Sequence, residues 1–455
     1  MALTSDRWTA VVLAAGQGTR MKSRLPKVLH PVAGVPMVVH VARAAREAGC
    51  SRVLAVVGHG ADSVAEALAG EAEPVRQREQ LGTGHALAQA ESAARDAEHL
   101  LVLHGDVPLT RPETLRRMMA AHLELDADVT LLTAIVDDAR AYGRVRRDAE
   151  GRVLDIVEAS DLEPGEGAGG EINAGMYCFR GSWLWPRLAA IPRSPNGEYY
   201  LTHLIGLASR EGSRIAVVVA DDPTEALGVN DRVELAEADR IMRDRIRRFH
   251  MLNGVTLIDP PTVYIDADVT IGQDSVIGPH VTLAGKTRIG TDARIGPGCV
   301  VRDSVVGDRC RIELSVVEEA TLEDDVDCGP YSHLRPGAYL CRGVHVGNFA
   351  EIKNSRVGRN TKMGHFSYLG DADVGEDVNI GAGTITCNFD GVRKHRTVIG
   401  DGAFIGSDTM LVAPVRVGRN ARTAAGSVVN RDVPDGKLAV GAPARIRDLA
   451  GEEGS

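Results

Sequence analysis

Aromatic side chains are scarce: Phe, Trp and Tyr together make up 4% of the 455 residues. That argues against one large aromatic core. An excess of basic charge is also lacking, with 52 Lys and Arg against 62 Asp and Glu and a net charge of -10. A general nucleic-acid binder should carry a basic footprint, so that class is excluded. No apolar run reaches the ~18 residues of a membrane span. The start, MALTSDRW, has no apolar segment of the signal-peptide kind, so a cytoplasmic chain is expected. The seven cysteines are odd in number and widely spaced, and none form a C-x-x-C pair. A disulfide framework or thiolate zinc site is therefore not expected, and the thiols should be reduced.

What is present fits a soluble globular chain: 44% apolar and 25% charged residues. At ~150 residues per domain, two to four domains are expected. The 50 glycines exceed the usual ~7% and suit an architecture with repeated tight corners.

The two halves differ in period. In the first, apolar runs read as buried strands at Thr9–Ala14, Arg52–Val57, His99–Leu103, Val129–Thr133 and Ile215–Val219. Helical patterns lie between them at Met37–Ala48, Thr83–Ala94 and Pro112–His122. Such alternation predicts an α/β domain with a mainly parallel, Rossmann-like sheet. Ligands bind at the carboxyl ends of such strands, so chemistry is sought just after them. A helix follows, roughly Asp231 to Leu252, acidic early and basic late, in keeping with the helix dipole. The expected boundaries are 1–232, a linker helix 233–253, and 254–455.

After Gly254, aliphatics recur every six residues: Ile265, Ile271, Ile277, Leu283, Ile289, Ile295 and Val301. The pattern slips and resumes at Leu334, Leu340, Val346 and Ile352, at Val357, Met363 and Leu369, and at Ile399, Ile405, Leu411 and Val417. At ~100° per residue, a step of six scatters around an α-helix. In a strand an even step keeps every hit on one face. This predicts a parallel β-helix of hexapeptide repeats. One interruption, Thr384–Val398, carries Arg393, Lys394, His395 and Arg396 and reads as a protruding basic loop.

Several segments carry chemistry. Strand Thr9–Ala14 runs into LAAGQGTRM, where Gly16 and Gly18 let backbone approach a phosphate and Arg20 adds charge. Lys27 follows in LPKVLHPVAG. Asp106 ends an apolar strand in LLVLHGDVPLT and is a natural Mg²⁺ ligand. In the second half, His333, Arg335, Glu351, Lys353, His365, Tyr368, Asn379, Asn388 and Ser407 interrupt a repeat whose core needs no polar groups. His365 is the candidate general base, and Glu351 could orient it. Arg335 and Lys353 would hold a phosphate, Arg by bidentate contact. Cys387 offers a rival acyl-cysteine route, but no His has motif spacing to it.

The motifs L-A-A-G-x-G-T-R-M, L-P-K-x-L, Q-L-G-T-G-H-A and G-D-V-P-L, in this order, resemble those of sugar-1-phosphate nucleotidyltransferases. With the second half, about residues 7 to 447 resemble the bacterial family joining N-acetylglucosamine-1-phosphate uridyltransferase to glucosamine-1-phosphate acetyltransferase. The resemblance implies Mg²⁺-dependent transfer from UTP, after acetyl transfer from acetyl-CoA, giving UDP-N-acetylglucosamine for cell-wall polymers. It implies a left-handed coil, although the crossover rule favours the right-handed sense. It implies a homotrimer with acetyl-transfer sites between chains, small-molecule substrates, and no nucleic-acid or membrane partner.

Residue by residue, the resemblance places Leu13, Ala14, Ala15 and Gly16 along the nucleotide and Arg20 and Lys27 at phosphates. Gln77, Gly82 and Thr83 hold uracil, His104 and Gly105 precede Asp106, and Asp106 with Asn230 takes Mg²⁺. Gly143, Glu158, Asn173 and Asn230 meet the sugar nucleotide. His104 stands where some relatives have Tyr. In the second half Arg335, Lys353, Tyr368, Asn379 and Lys394 meet the sugar phosphate. Ala382, Asn388, Phe389, Ser407, Ala425 and Arg445 match acetyl-CoA contacts, with Phe389 at a position often Tyr. Two other readings stay open: a single-activity nucleotidyltransferase with a structural β-helix, and a non-catalytic regulatory subunit. The acidic tail GEEGS reads as disordered.

Overall fold

The computed structural model describes residues 8–139, 142–158, 169–195 and 197–448. The tail GEEGS lies outside them. The chain divides into two compact units, Met1–Met242 and Arg243–Ser455.

The first unit is built on a mixed sheet. Its strands run, in spatial order, Ile215–Val219, Val129–Val136, Gly170–Arg180, His99–His104, Trp8–Ala14, Arg52–Val57 and Glu73–Arg76. Trp8–Ala14 is buried at every residue, as a parallel strand covered on both faces must be. Every pairing in this row is parallel except those of Gly170–Arg180, which runs antiparallel to both neighbours. That strand was not foreseen, because Asn173 and Gly175 break its apolar run. The helix expected over Thr83–Ala94 is divided into Thr83–Gln89 and Glu91–Ala94. Leu13 pairs with His104, and Ala14 with Val57, which pairs in turn with Arg76. The strand ends therefore deliver Ala15, Gly58, Gln77 and Gly105 to one edge.

The division between units falls inside the helix Arg232–Leu252. Ala238, with Leu235, Ile241 and Met242, belongs to a core cluster of the first unit. Further along, Ile246 packs on the second unit's core, and Arg247 donates to the Val263 carbonyl at 2.9 Å.

The second unit is a three-sided coil of short strands in sheets of 12, 10 and 9 members, parallel except that the last strand, Arg445–Asp448, runs antiparallel to Lys437–Val440. Each strand pairs one turn ahead, as Tyr264 with Thr282 and Thr282 with Val300. The hexad aliphatics fill the interior: Ile265, Leu283, Val301, Leu334, Ile352, Leu369 and Leu411 are all fully buried. Ile271 is half-buried against the same cluster. Turns shorter than 18 residues, such as Val300 to Val316, account for the slipped register. One turn is longer: Asp373 pairs with Val398, whereas Arg356 pairs with Asp373. The extra residues form the basic loop, which is narrower than expected. Ile385–Cys387 and Thr397–Ile399 are sheet strands, leaving 388–396 as the excursion, pinched by a bridge between Phe389 and Lys394. Among the described residues, no helix is long and apolar enough to cross a membrane.

Candidate active sites

The strand ends of the first unit open into a cleft of about 480 Å³. Ten of the expected residues line it: Leu13, Ala14, Ala15, Gly16, Lys27, Gln77, Gly82, Thr83, His104 and Asp106. Two glycines shape its floor for different reasons. Gly18 is left-handed (φ +63°), and a Cβ there would lie 2.5 Å from the Lys27 Cβ. Gly16 faces open space, with nothing within 4 Å of such a Cβ. Gly18 thus lets Lys27 close in, and Gly16 leaves backbone bare to a ligand.

Lys27 lies in an ion pair with Asp106, and its ammonium donates to Asn230 Oδ1 at 3.3 Å. Arg20 Nη2 donates to the same oxygen at 3.0 Å. Burial opposes ionisation of Asp106. The charges of Lys27 and His104 outweigh it and hold the carboxyl below its usual range. Asp106 and Asn230 oxygens therefore already gather a cation. Among the described residues no three His, Cys, Asp or Glu converge on a metal site. An ion at Asp106 would complete its shell from substrate and water, which suits Mg²⁺.

A second cluster flanks His104, whose ring fills the space beside Gly175. Asn173 donates from its backbone to the Gly143 carbonyl at 2.9 Å and from Nδ2 to the Tyr177 hydroxyl at 2.7 Å. Thr202 donates to Glu158 Oε1 at 2.7 Å. Burial pulls the His104 pKa down against the opposing pull of Asp106 and Glu158, with Lys27 adding to the drop. Gly105 has Leu13 and Ala14 within 3.2 Å of a Cβ position. Gln17, Thr19, Gln80, Glu198 and Tyr200 also line the cleft and were not foreseen. Gln80 opens the quoted Q-L-G-T-G-H-A segment, so its signal was available. Tyr200 had none: its segment is held by Tyr199, which donates to the Leu81 carbonyl at 2.8 Å.

In the second unit a groove of about 560 Å³ runs along successive corners of the coil. His365, Asn379, Ala382, Ser407 and Ala425 line it, with His345, Lys362 and Phe404. The corners stack because glycines admit no side chain: a Cβ on Gly381 would lie 2.6 Å from the Ser407 nitrogen. On the adjoining sheet, His333, Glu351 and Tyr368 stand in register. Arg335 donates to Glu351 Oε1 at 2.6 Å. Among the described residues no hydrogen bond joins Glu351 to His365, so within one chain Glu351 serves Arg335 instead. Lys353 meets Lys394 on the loop. Lys394 first, and then Arg335, depress its pKa against Asp371.

Three expected acetyl-CoA residues lie outside the groove lining. Asn388 is buried and gives its amide to Asp371 at 2.5 Å. Phe389 is exposed on the loop, and Arg445 begins the strand Arg445–Asp448. Burial pushes the Cys387 thiol up, the wrong direction for a nucleophile.

Fold and sites define a nucleotide-transferring domain followed by a hexapeptide-repeat transferase domain. Residues 10–224 match the family described as MobA-like NTP transferase domain, and residues 396–431 match bacterial transferase hexapeptide (six repeats). The chain is 49% identical over 436 residues to the bifunctional protein GlmU of Pelobacter propionicus, covering 95% of each. Similar proteins carry that name in Heliobacterium modesticaldum (48% identity, 95% of each) and Brevibacillus brevis (46%, 97% of this chain and 96% of that one). The chain belongs to the GlmU family of bifunctional transferases, which unite the uridyl- and acetyl-transfer activities that its motifs resemble. A solved UDP-glucose pyrophosphorylase complexed with UDP-glucose is similar at a TM-score of 0.44 and 19% identity, over 52% of this chain and 98% of that one.

Proposed function

We propose that the cleft around Asp106 performs uridyl transfer and the groove around His365 performs acetyl transfer. The chain is a bifunctional enzyme of UDP-N-acetylglucosamine synthesis, acetylating glucosamine-1-phosphate and then uridylating the product. The observation that carries the assignment is convergence. Segments far apart in sequence, ending at Gly16, Lys27, Thr83 and Asp106, line one cleft. The acetyl-transfer candidates all lie in the other unit.

For uridyl transfer, a sugar-1-phosphate oxygen attacks the α-phosphorus of UTP and pyrophosphate leaves. Such transfers run on positioning and charge neutralisation. Lys27 and Arg20 supply cations, and the bare backbone at Gly16 supplies a phosphate seat. Asp106 and Asn230 would hold Mg²⁺, which neutralises phosphate charge when bound. Gly143, Glu158 and Asn173 would orient the sugar, and Gln77, Gly82 and Thr83 the uracil.

For acetyl transfer, the amine of glucosamine-1-phosphate attacks the thioester carbonyl. The C–N bond forms, the C–S bond breaks, His365 takes the amine proton, and coenzyme A leaves as thiolate and is reprotonated. Arg335, Lys353, Lys394 and Tyr368 form the phosphate cradle. Ala382, Ser407 and Ala425 give small surfaces along which an extended acetyl-CoA can lie, and Asn379 faces the same groove.

The enzyme acts as a cytoplasmic homotrimer, whose neighbouring chains would supply the walls that a convex coil lacks. A coupled assay with acetyl-CoA, glucosamine-1-phosphate and UTP tests the whole reading. Product that requires all three substrates supports it, and either half-reaction missing in folded protein refutes it.

A further inference from the structure

The loop that carries Lys394 is held by one carboxylate that neither half-reaction uses. Asp371 is 9% exposed and takes the left-handed conformation, φ +52°. Its Oδ1 accepts from Asn354 Nδ2 at 2.5 Å and its Oδ2 from Asn388 Nδ2 at 2.5 Å. Its backbone ties the same parts: it donates to the Lys353 carbonyl and accepts from Thr397, each at 3.1 Å. Asn388 in turn accepts from the His395 nitrogen at 2.7 Å, so the far limb of the loop hangs on the same anchor.

The position also has an electrostatic purpose. Lys394 and Arg335 both act on Lys353 as like charges, an arrangement that repels itself. Glu351 is committed to Arg335. Asp371 is the buried carboxylate on the other side, and both lysines act on it.

We infer that Asp371 is a positioning residue for acetyl transfer: it fixes the loop through Asn388 and supplies the countercharge that keeps Lys353 and Lys394 together before a substrate phosphate arrives. The inference rests on the reading of Arg335, Lys353 and Lys394 as the sugar-phosphate cradle.

Asp371→Asn is the informative change. Asn adopts the left-handed conformation readily, so the backbone need not move. It removes the charge, however, and sets an NH₂ group against one of two amides that both donate. A second exchange repairs this. In Asp371→Asn with Asn354→Asp, the new carboxylate at 354 accepts from residue 371, whose remaining oxygen still accepts from Asn388. Position 354 is left-handed too (φ +44°), and Asp tolerates that.

Asp371→Asn should raise KM for glucosamine-1-phosphate about tenfold or more, the effect of a lost charge-assisted contact. KM for acetyl-CoA should stay within about twofold, because the groove corners are held by their own backbone ladder. Uridyl transfer should be unchanged. The exchange variant should recover most of the lost KM. An unchanged KM for glucosamine-1-phosphate overturns the inference. So does an equal rise in both KM values that the exchange does not repair, which would mark a merely structural residue. Lys394→Ala, measured alongside, separates the two levels. If it leaves KM for the sugar phosphate normal, the cradle reading itself is wrong. If it impairs KM while Asp371→Asn does not, only the positioning role is wrong.

Discussion

The two glycines of the first loop allow a paired test, because the structure assigns them opposite reasons for being glycine. At Gly18 the backbone is left-handed, which costs an L-residue about 1–2 kcal/mol. A methyl there would also meet the Lys27 Cβ at 2.5 Å, and relieving such overlap costs about 1–3 kcal/mol more. Gly18→Ala should therefore destabilise the first unit by about 2–5 kcal/mol and push Lys27 away from Asp106 and Asn230. At Gly16 no atom lies within 4 Å of the new methyl, and the backbone is not left-handed. Gly16→Ala should leave stability intact, or raise it by about 0.4–1 kcal/mol through the unfolded chain. Its methyl would stand where the phosphate is proposed to meet the backbone. A displacement of about 1 Å there costs on the order of 10²-fold in uridyl-transfer kcat/KM. Urea melts read the stabilities, and pyrophosphate release from UTP and N-acetylglucosamine-1-phosphate reads the rate. Acetyl transfer by the same variants is the internal control. A stable Gly16→Ala enzyme with full uridyl transfer would show that no phosphate passes over that backbone. A Gly18→Ala enzyme as stable as the parent would refute the packing of Lys27.

Three further outcomes are expected. Asp106→Ala should abolish uridyl transfer and spare acetyl transfer, and His365→Ala should do the reverse; loss of both in folded protein from either change refutes two sites. His122 is buried beside His99, and burial first, then the charges of His99 and Arg180, hold its pKa to about 3 against the pull of Asp126. Below the ordinary imidazole value of 6.5 the unfolded state takes up a proton that the folded state does not, so stability falls as pH drops, by about 1.4 kcal/mol per unit. The urea midpoint should therefore decline from pH 6.5 to 5, and less steeply in His122→Gln; equal slopes count against a neutral buried imidazole. Finally, if neighbouring chains supply opposite walls, mixing His365→Ala chains with Lys394→Ala chains should regain some acetyl transfer, and a fully active monomer by sedimentation removes the shared site.

Legibility in the sequence followed regularity. Trp8–Ala14, Arg52–Val57 and His99–His104 were readable because strands buried on both faces must be apolar throughout. Gly170–Arg180 was not, although it is the longest strand of its sheet. Its register shifts between Asn173 and Tyr177, and Gly175 there is left-handed (φ +72°) to admit the His104 ring. The pattern broke where the candidate sugar pocket needed an amide and a close approach. Gln80 went unassigned inside a quoted motif, and Tyr200 could not be found at all, since only tertiary pairing brings its segment beside Gly82.

The same division explains the second unit. A period of six reports the side chains that point inward, and these are interchangeable aliphatics. Residues that can meet a substrate must point outward or sit at corners, where the repeat imposes no identity. Arg335, Glu351, Lys353, Tyr368 and His365 therefore surface as departures from a pattern, without any indication of which touch one another. Glu351 could be placed near His365 by sequence logic, yet the coil sets it in register with His333 and Tyr368 and in reach of Arg335. One chain thus gathers three cations against two carboxylates, each carboxylate already engaged. The remaining positive charge stands unbalanced until an anion joins it. On the proposed reading, that positive charge would draw the phosphate end of a sugar phosphate to the cradle and leave the acceptor amine to face the groove.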